Sequence, residues 1–281
     1  LLPNMADYIA SNPNTRIYSS ILERFAVPYY SGAAKQERDV NVRMLINSGL
    51  VTNPAIKEAM DANTDSVFVK KYLSKRARIG SRTEPETQKT NLDQMTPTDN
   101  LLKFDPGWNS FISSTIGSNT DVALQKDMGL MFVPLDDALK QWWLDESQVG
   151  ARLRARYGLE EFKGRNDLTV DEVIKDMGQI PMSVILELVN VNMQSSLIGS
   201  VPSKFSSVLN DAQDPFFENK SREEAESTIS DVVMCCNGAV YFTTNVYVPT
   251  AYKSVAYPVL VNEKLKIIDW AIRTDEVLAY R

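Results

Sequence analysis

Histidine is absent from this chain of 281 residues. That absence excludes Ser–His–Asp and Cys–His catalysis, histidine-ligated zinc and imidazole proton relays. Cysteine is nearly absent: Cys235 and Cys236 are the only two and they are neighbours, which argues against a disulfide framework. Adjacent side chains of a strand point to opposite faces, so two free thiols are expected, one of them in the core. No apolar run approaches the ~20 residues that cross a bilayer as a helix. Glycine-rich phosphate loops and the D-x-D-x-D-G calcium loop are missing. Positive charge is not in excess, since 30 basic residues face 36 acidic ones for a net charge of −6, which argues against nucleic acid as a partner. The chain opens Leu1-Leu2-Pro3-Asn4, with no initiator Met and no charged-then-apolar leader, and reads as trimmed. No catalytic, cofactor-binding or metal-binding residue is assigned, and the chain is read as non-enzymatic.

What is present is ordinary globular composition, 43% hydrophobic and 23% charged. Length alone suggests roughly two domains. Residues 5–26 predict a helix interrupted at Ser11-Asn12-Pro13-Asn14, with Asn14 as N-cap of a second half whose Ile17, Ile21, Leu22 and Phe25 share a face, and with Pro28 as its stop. Val42, Leu45 and Ile46 fit strand or helix equally. Residues 54–60 predict a short helix with Pro54 at its start, residues 66–73 a strand, residues 81–100 a polar loop, residues 101–104 a short strand, and Asp105-Pro106-Gly107 a turn. Residues 129–134 read as an apolar strand. From Pro134 the pattern is helical for seventy residues. Asp136 or Asp137 is placed to cap the helix carrying Trp142 and Trp143. Thr169 and Glu172 form a capping box, and Pro181 starts a helix with Val184, Ile185, Leu188, Val189 and Asn192 on one stripe. A further short helix is expected at 201–211. Residues 231–249 form a hairpin turning at Asn237-Gly238 and closed by Pro249, which has no N–H to donate. The tail at 262–273 reads as an amphipathic helix.

Two of these stretches resemble the signature segments of the fasciclin-type (FAS1) domain. Phe132, Pro134, Asp136, Ala138 and Leu139 fall on the first family segment. Asn237, Gly238, Val240, Val246, Val248 and Pro249 fall on the second. The usual Tyr-His pair between the segments is absent, so an adhesion role resting on that pair does not carry over. Phe104-Asp105-Pro106-Gly107-Trp108-Asn109 and Pro249-Thr250-Ala251-Tyr252 are similar to the larger FAS1 modules of Gram-negative surface lipoproteins. The resemblance implies an α+β fold of the FAS1 type, a β-rich core with a group of helices packed against it. It implies a module over residues 1–258 with a long insertion near 32–125. Residues 259–281 are then either the opening helix of a second FAS1 module or a C-terminal helix packed on the first. The implied role is non-enzymatic: protein–protein or surface adhesion at the outer membrane, as an accessory lipoprotein subunit of a SusCD-like nutrient transporter, its anchor lying outside this sequence. The rival role is an independent, lectin-like polysaccharide binder.

The candidate contact residues follow from side-chain chemistry. Trp108, Trp142, Trp143, Tyr29 and Tyr30 carry aromatic faces suited to a sugar ring or a protein interface, against the ordinary use of such residues in cores. Lys70, Lys71, Lys75, Arg76, Arg78 and Arg82 place six positive charges within thirteen residues. They fit a polyanion site, against the alternative of a solvated hairpin.

Overall fold

The computed structural model describes residues 2–63, 65–72, 74, 101–107, 129–194, 196–197, 201–210, 213–253, 267–268 and 270. The fold is α+β. Its centre is a four-stranded sheet of β3 (Gly129–Pro134), β4 (Met193–Gln194), β5 (Ile229–Cys235) and β6 (Gly238–Thr243), in the order β4-β3-β6-β5. A separate two-stranded ribbon pairs β1 (Ala26–Tyr30) antiparallel with β2 (Phe68–Tyr72).

The two segments singled out in the sequence lie side by side. β3 and β6 pair in parallel, from Gly129 opposite Gly238 to Pro134 opposite Thr243. A parallel pair needs a crossover, and residues 135–237 supply it. They include α5 (Asp136–Leu144), α6 (Val149–Tyr157), α7 (Val170–Met177), α8 (Met182–Val191) and the short α9 (Arg222–Ser227). Every residue of β3 and β6 is buried, which explains why both read as unbroken apolar runs rather than alternating ones. Period-two geometry sends their side chains to two cores. Met131, Val133, Val240 and Phe242 face α5–α8 together with α1 (Met5–Ser11) and α2 (Arg16–Glu23). Leu130, Phe132, Ala239 and Tyr241 face a smaller cluster built on Phe205, Phe216, Phe217 and Tyr247. There Phe132 stacks on Phe216 at 4.3 Å and meets Phe217 edge-on at 5.5 Å.

The turn joining β5 to β6 is one residue earlier than expected. Cys235 pairs with Gly238, so Cys236 and Asn237 form the loop and Gly238 begins the strand. Gly238 is required there by space: a Cβ would sit 2.2 Å from the Gly129 carbonyl oxygen and 2.8 Å from Met5 Sδ. β6 also stops at Thr243, short of Pro249. Leu135 N–H takes the Thr243 carbonyl and Thr243 Oγ1 donates to the Asn245 carbonyl, turning the chain out of the sheet. Cys235 is buried, Cys236 is exposed and both are free. Burial pushes the Cys235 thiol up to about 11, as for a thiol packed in a core.

Several local expectations hold and several shift. Residues 32–47 resolve to helix, α3 (Gly32–Asn47), capped by Ser31. It is followed by α4 (Pro54–Asp61), with Pro54 in its first turn. Pro28 lies inside β1, because α2 already ends at Glu23. Leu102 forms only an isolated bridge to Ser74, so the strand expected at 101–104 does not develop. Asn190 instead holds this segment, through Lys103 N–H and the Leu101 carbonyl. Asp105 builds its turn by accepting from Gly107 N–H, and also accepts from Tyr72 N–H. The helix expected at 201–211 is a 3-10 turn, Pro202–Ser207. The loop at 81–100 lies outside the described residues.

The capping box at α7 is formed as read. Glu172 accepts from Thr169 N–H at 2.8 Å, from Arg165 at 2.8 Å and from Thr169 Oγ1 at 3.0 Å. These bonds pull its carboxyl from 4.5 to about 2, led by the Thr169 backbone bond and then by Arg165. A depressed folded value means stability that is present above pH 4.5 and lost as pH falls toward 2. Glu172→Gln is therefore expected to flatten the acid limb of the thermal midpoint between pH 5 and 2.5; limbs that stay parallel would exclude this role.

Candidate functional site

The sequence-predicted aromatic residues do not assemble into one exposed platform. Trp142 and Trp143 lie on α5, where both are buried and neither ring offers a free face. The physical reason is the helical layer: α5 packs against α2, α6 and α7, its Leu139 and both indoles belong to the main core, and Trp143 Nε1 donates to Asp176 at 2.8 Å. Tyr30 is buried as well, its ring edge-on to Phe68 at 6.1 Å. Tyr29 pairs with Val69 in the ribbon, but its side chain lies outside the described residues, as does Trp108.

Of the basic stretch, Lys70 and Lys71 fall among the described residues. Lys70 and Lys71 are successive residues of β2 and point to opposite faces. Lys70 is exposed and its ammonium meets Glu23 at 2.8 Å; the same Glu23 oxygen accepts from Tyr72 OH at 2.7 Å. Lys71 is half-buried, and burial lowers its pKa against the opposing pull of Asp105. Lys75, Arg76, Arg78 and Arg82 lie outside the described residues.

Asp136 has an unexpected use. It occupies the first turn of α5 but caps no group of that helix. Its carboxylate reaches across to α2, accepting from Arg16 N–H at 3.1 Å and Ile17 N–H at 2.8 Å, while its own N–H donates to the Asn14 carbonyl at 2.7 Å. The orphan donors of α2 are thus satisfied by a residue 119 positions away from Ile17, which displaces Asn14 from the capping role expected of it. Burial raises the Asp136 pKa, against the lowering effect of the two backbone bonds. This pairing belongs to the architecture. Among the described residues, no group of three or more His, Cys, Asp or Glu side chains is placed to hold a metal ion.

The feature that stands apart is α3 with α4. Neither helix has a buried residue. Val40, Met44 and Leu45 on α3, Leu50 in the connecting segment and Ile56 on α4 are all exposed, with Met44 63% and Leu50 75% accessible. Val40 and Met44 lie one turn apart on α3 and so share a face. Phe68, on the adjoining ribbon, is also exposed. Polar bonds run along α3 and from it to the segment after α4. Asp39 accepts from Lys35 at 3.1 Å and from Arg38 at 2.7 Å, and Arg38 also donates to the Asp65 carbonyl. Arg38, then Lys35, hold the Asp39 carboxyl below its usual range. A cluster of exposed large apolar side chains is the kind of surface that partners cover. None of these residues was read from the sequence as a contact residue. The available signal was the bunching of Val40, Val42, Met44, Leu45 and Ile46 in the second half of a helix with no clear stripe.

No protein-family model matches this chain, and neither a curated protein nor a solved structure matches it. No helix among the described residues is long and apolar enough to cross a membrane.

Proposed function

We propose that this chain is a non-enzymatic fasciclin-type surface module that works by holding a protein partner. In its specific form, it is an accessory lipoprotein subunit of an outer-membrane SusCD-like nutrient transporter. The observation that carries the protein-binding part is the α3–α4 hairpin, an exposed apolar surface on helices that contribute nothing buried to the fold. That hairpin falls in the segment near 32–125 read as an insertion into a module spanning 1–258. Support for the fasciclin part is the sequence resemblance, joined by the direct pairing of its two segments as β3 and β6. The transporter and the outer-membrane location rest on the resemblance alone, which is an analogy. The rival reading, a lectin-like glycan binder, loses three of its five aromatic candidates to burial.

The test is a native pull-down of the full-length protein from detergent-solubilised membranes, read by mass spectrometry. Recovery of a transporter barrel in stoichiometric amount is expected. Recovery of a lone monomer would sink the proposal. The surface is tested separately by Met44→Glu combined with Val40→Glu. Stability is expected to move by no more than about 0.5 kcal/mol, as for substitutions away from packed groups, while partner recovery falls at least about tenfold. Unchanged recovery would remove α3 from the interface.

A further inference from the structure

We infer that a single water molecule is an integral part of this fold, bound in a cavity between α2, α5, α7 and α8 and bridging Tyr18 Oη to Asn192 Oδ1. The cavity is lined by Tyr18, Ile21, Leu139, Trp142, Val189 and Asn192, among others, and leaves about 20 Å³ for the centre of a water-sized sphere. About one such sphere, ~10–15 Å³, suffices for one water, provided that polar partners are present. Two are. Tyr18 and Asn192 are each 3% exposed, and neither Tyr18 Oη nor Asn192 Oδ1 has a hydrogen-bond partner in the protein.

The amide of Asn192 is fixed in this sense by its other end. Nδ2 donates to the Leu188 carbonyl at 2.8 Å and to the Tyr247 carbonyl at 2.9 Å. Flipping the amide would set Oδ1 against two carbonyl oxygens, so the group left over is an acceptor. Burial pushes the Tyr18 hydroxyl far above its ordinary value, keeping it a neutral donor. One donor and one acceptor are what a bridging water complements, accepting from Tyr18 and donating to Asn192. No Asp, Glu, Lys or Arg lines the cavity, so an ion has no counter-charge there. Leaving both groups dry would incur two desolvation penalties in one site.

Two measurements on the full-length protein test this. Oxygen-17 relaxation dispersion is expected to count one more long-lived water in the wild type than in Tyr18→Phe. In denaturant titration Tyr18→Phe is expected to raise the unfolding constant about fivefold, the size of one satisfied hydrogen bond. A dry site predicts the opposite sign, because removing an unsatisfied hydroxyl stabilises. The water count decides: equal counts overturn the inference whichever way stability moves. Should Tyr18→Phe fail to fold, electron density in a wild-type crystal decides alone. A peak at hydrogen-bond distance from both atoms supports the water; none overturns it.

Discussion

Asp176→Ala is expected to cost about 3–5 kcal/mol, the range for removing one partner of a buried ion pair. Asp176 is fully buried on α7 and joins three other parts of the helical layer. It accepts from Trp143 Nε1 on α5 at 2.8 Å, from Arg154 Nε on α6 at 3.0 Å, and from the Leu159 N–H in the loop that follows. Arg154 continues inward-facing work from there, donating to the Phe162 and Arg165 carbonyls at 2.6 and 2.7 Å. Without the carboxylate, a nearly buried guanidinium and an indole N–H lose their acceptor together. Asp176→Asn keeps the shape and one acceptor oxygen, so a smaller loss is expected. Urea titration of both variants measures this. A loss below about 1 kcal/mol for the alanine variant, the size of an ordinary neutral hydrogen bond, would show that Arg154 finds other partners and that Asp176 is not the hub of this layer.

Asn237→Asp is expected to cost about 3 kcal/mol at pH 7, from a lost buried hydrogen bond and a carboxylate placed against a carbonyl. In the native chain Asn237 ties three distant stretches at one point. Its Oδ1 accepts from Met5 N–H at 2.9 Å and its Nδ2 donates to the Pro106 carbonyl at 2.8 Å. Pro106 also accepts from Ala6 N–H, and Cys236 N–H donates to the Pro3 carbonyl. An aspartate retains the acceptor but turns the donor into a second oxygen facing Pro106. Its folded pKa is then raised above the ordinary ~3.9. The deficit is therefore smallest below pH 3.9 and grows as pH rises through the folded value. Thermal midpoints of wild type and variant should converge near pH 3.5 and separate toward pH 7. A gap independent of pH would mean that the Pro106 contact contributes little.

How much of this was legible in the sequence depended on the range of the interaction. The turn at Asp105-Pro106-Gly107, the capping box of Thr169 with Glu172 and Pro54 at its helix start are set by neighbours within a few residues. Backbone conformation and short-range hydrogen bonding specify them before any tertiary contact forms. The opposite fates of Cys235 and Cys236 follow from strand alternation in the same way. The hairpin register escaped by one residue because Asn237-Gly238 is a good turn pair in isolation. In the fold, only glycine fits against Gly129, so Gly238 is drawn into the ladder.

The amino-acid sequence by itself determined most helix and strand positions and the exclusion of histidine chemistry, because composition and local periodicity carry that information. Tertiary structure alone decided the rest. It put Trp142, Trp143 and Tyr30 inside, since an aromatic ring reads alike whether a core or a partner will cover it. It turned Asp136 from a cap of its own helix into the cap of α2, since a carboxylate serves whichever orphan N–H groups are brought to it. It gathered Asp176 with Arg154 and Tyr18 with Asn192 across long stretches of chain. It also left Val40, Met44 and Leu45 outside, because exposure depends on which faces find neighbours, and no single segment of sequence encodes that.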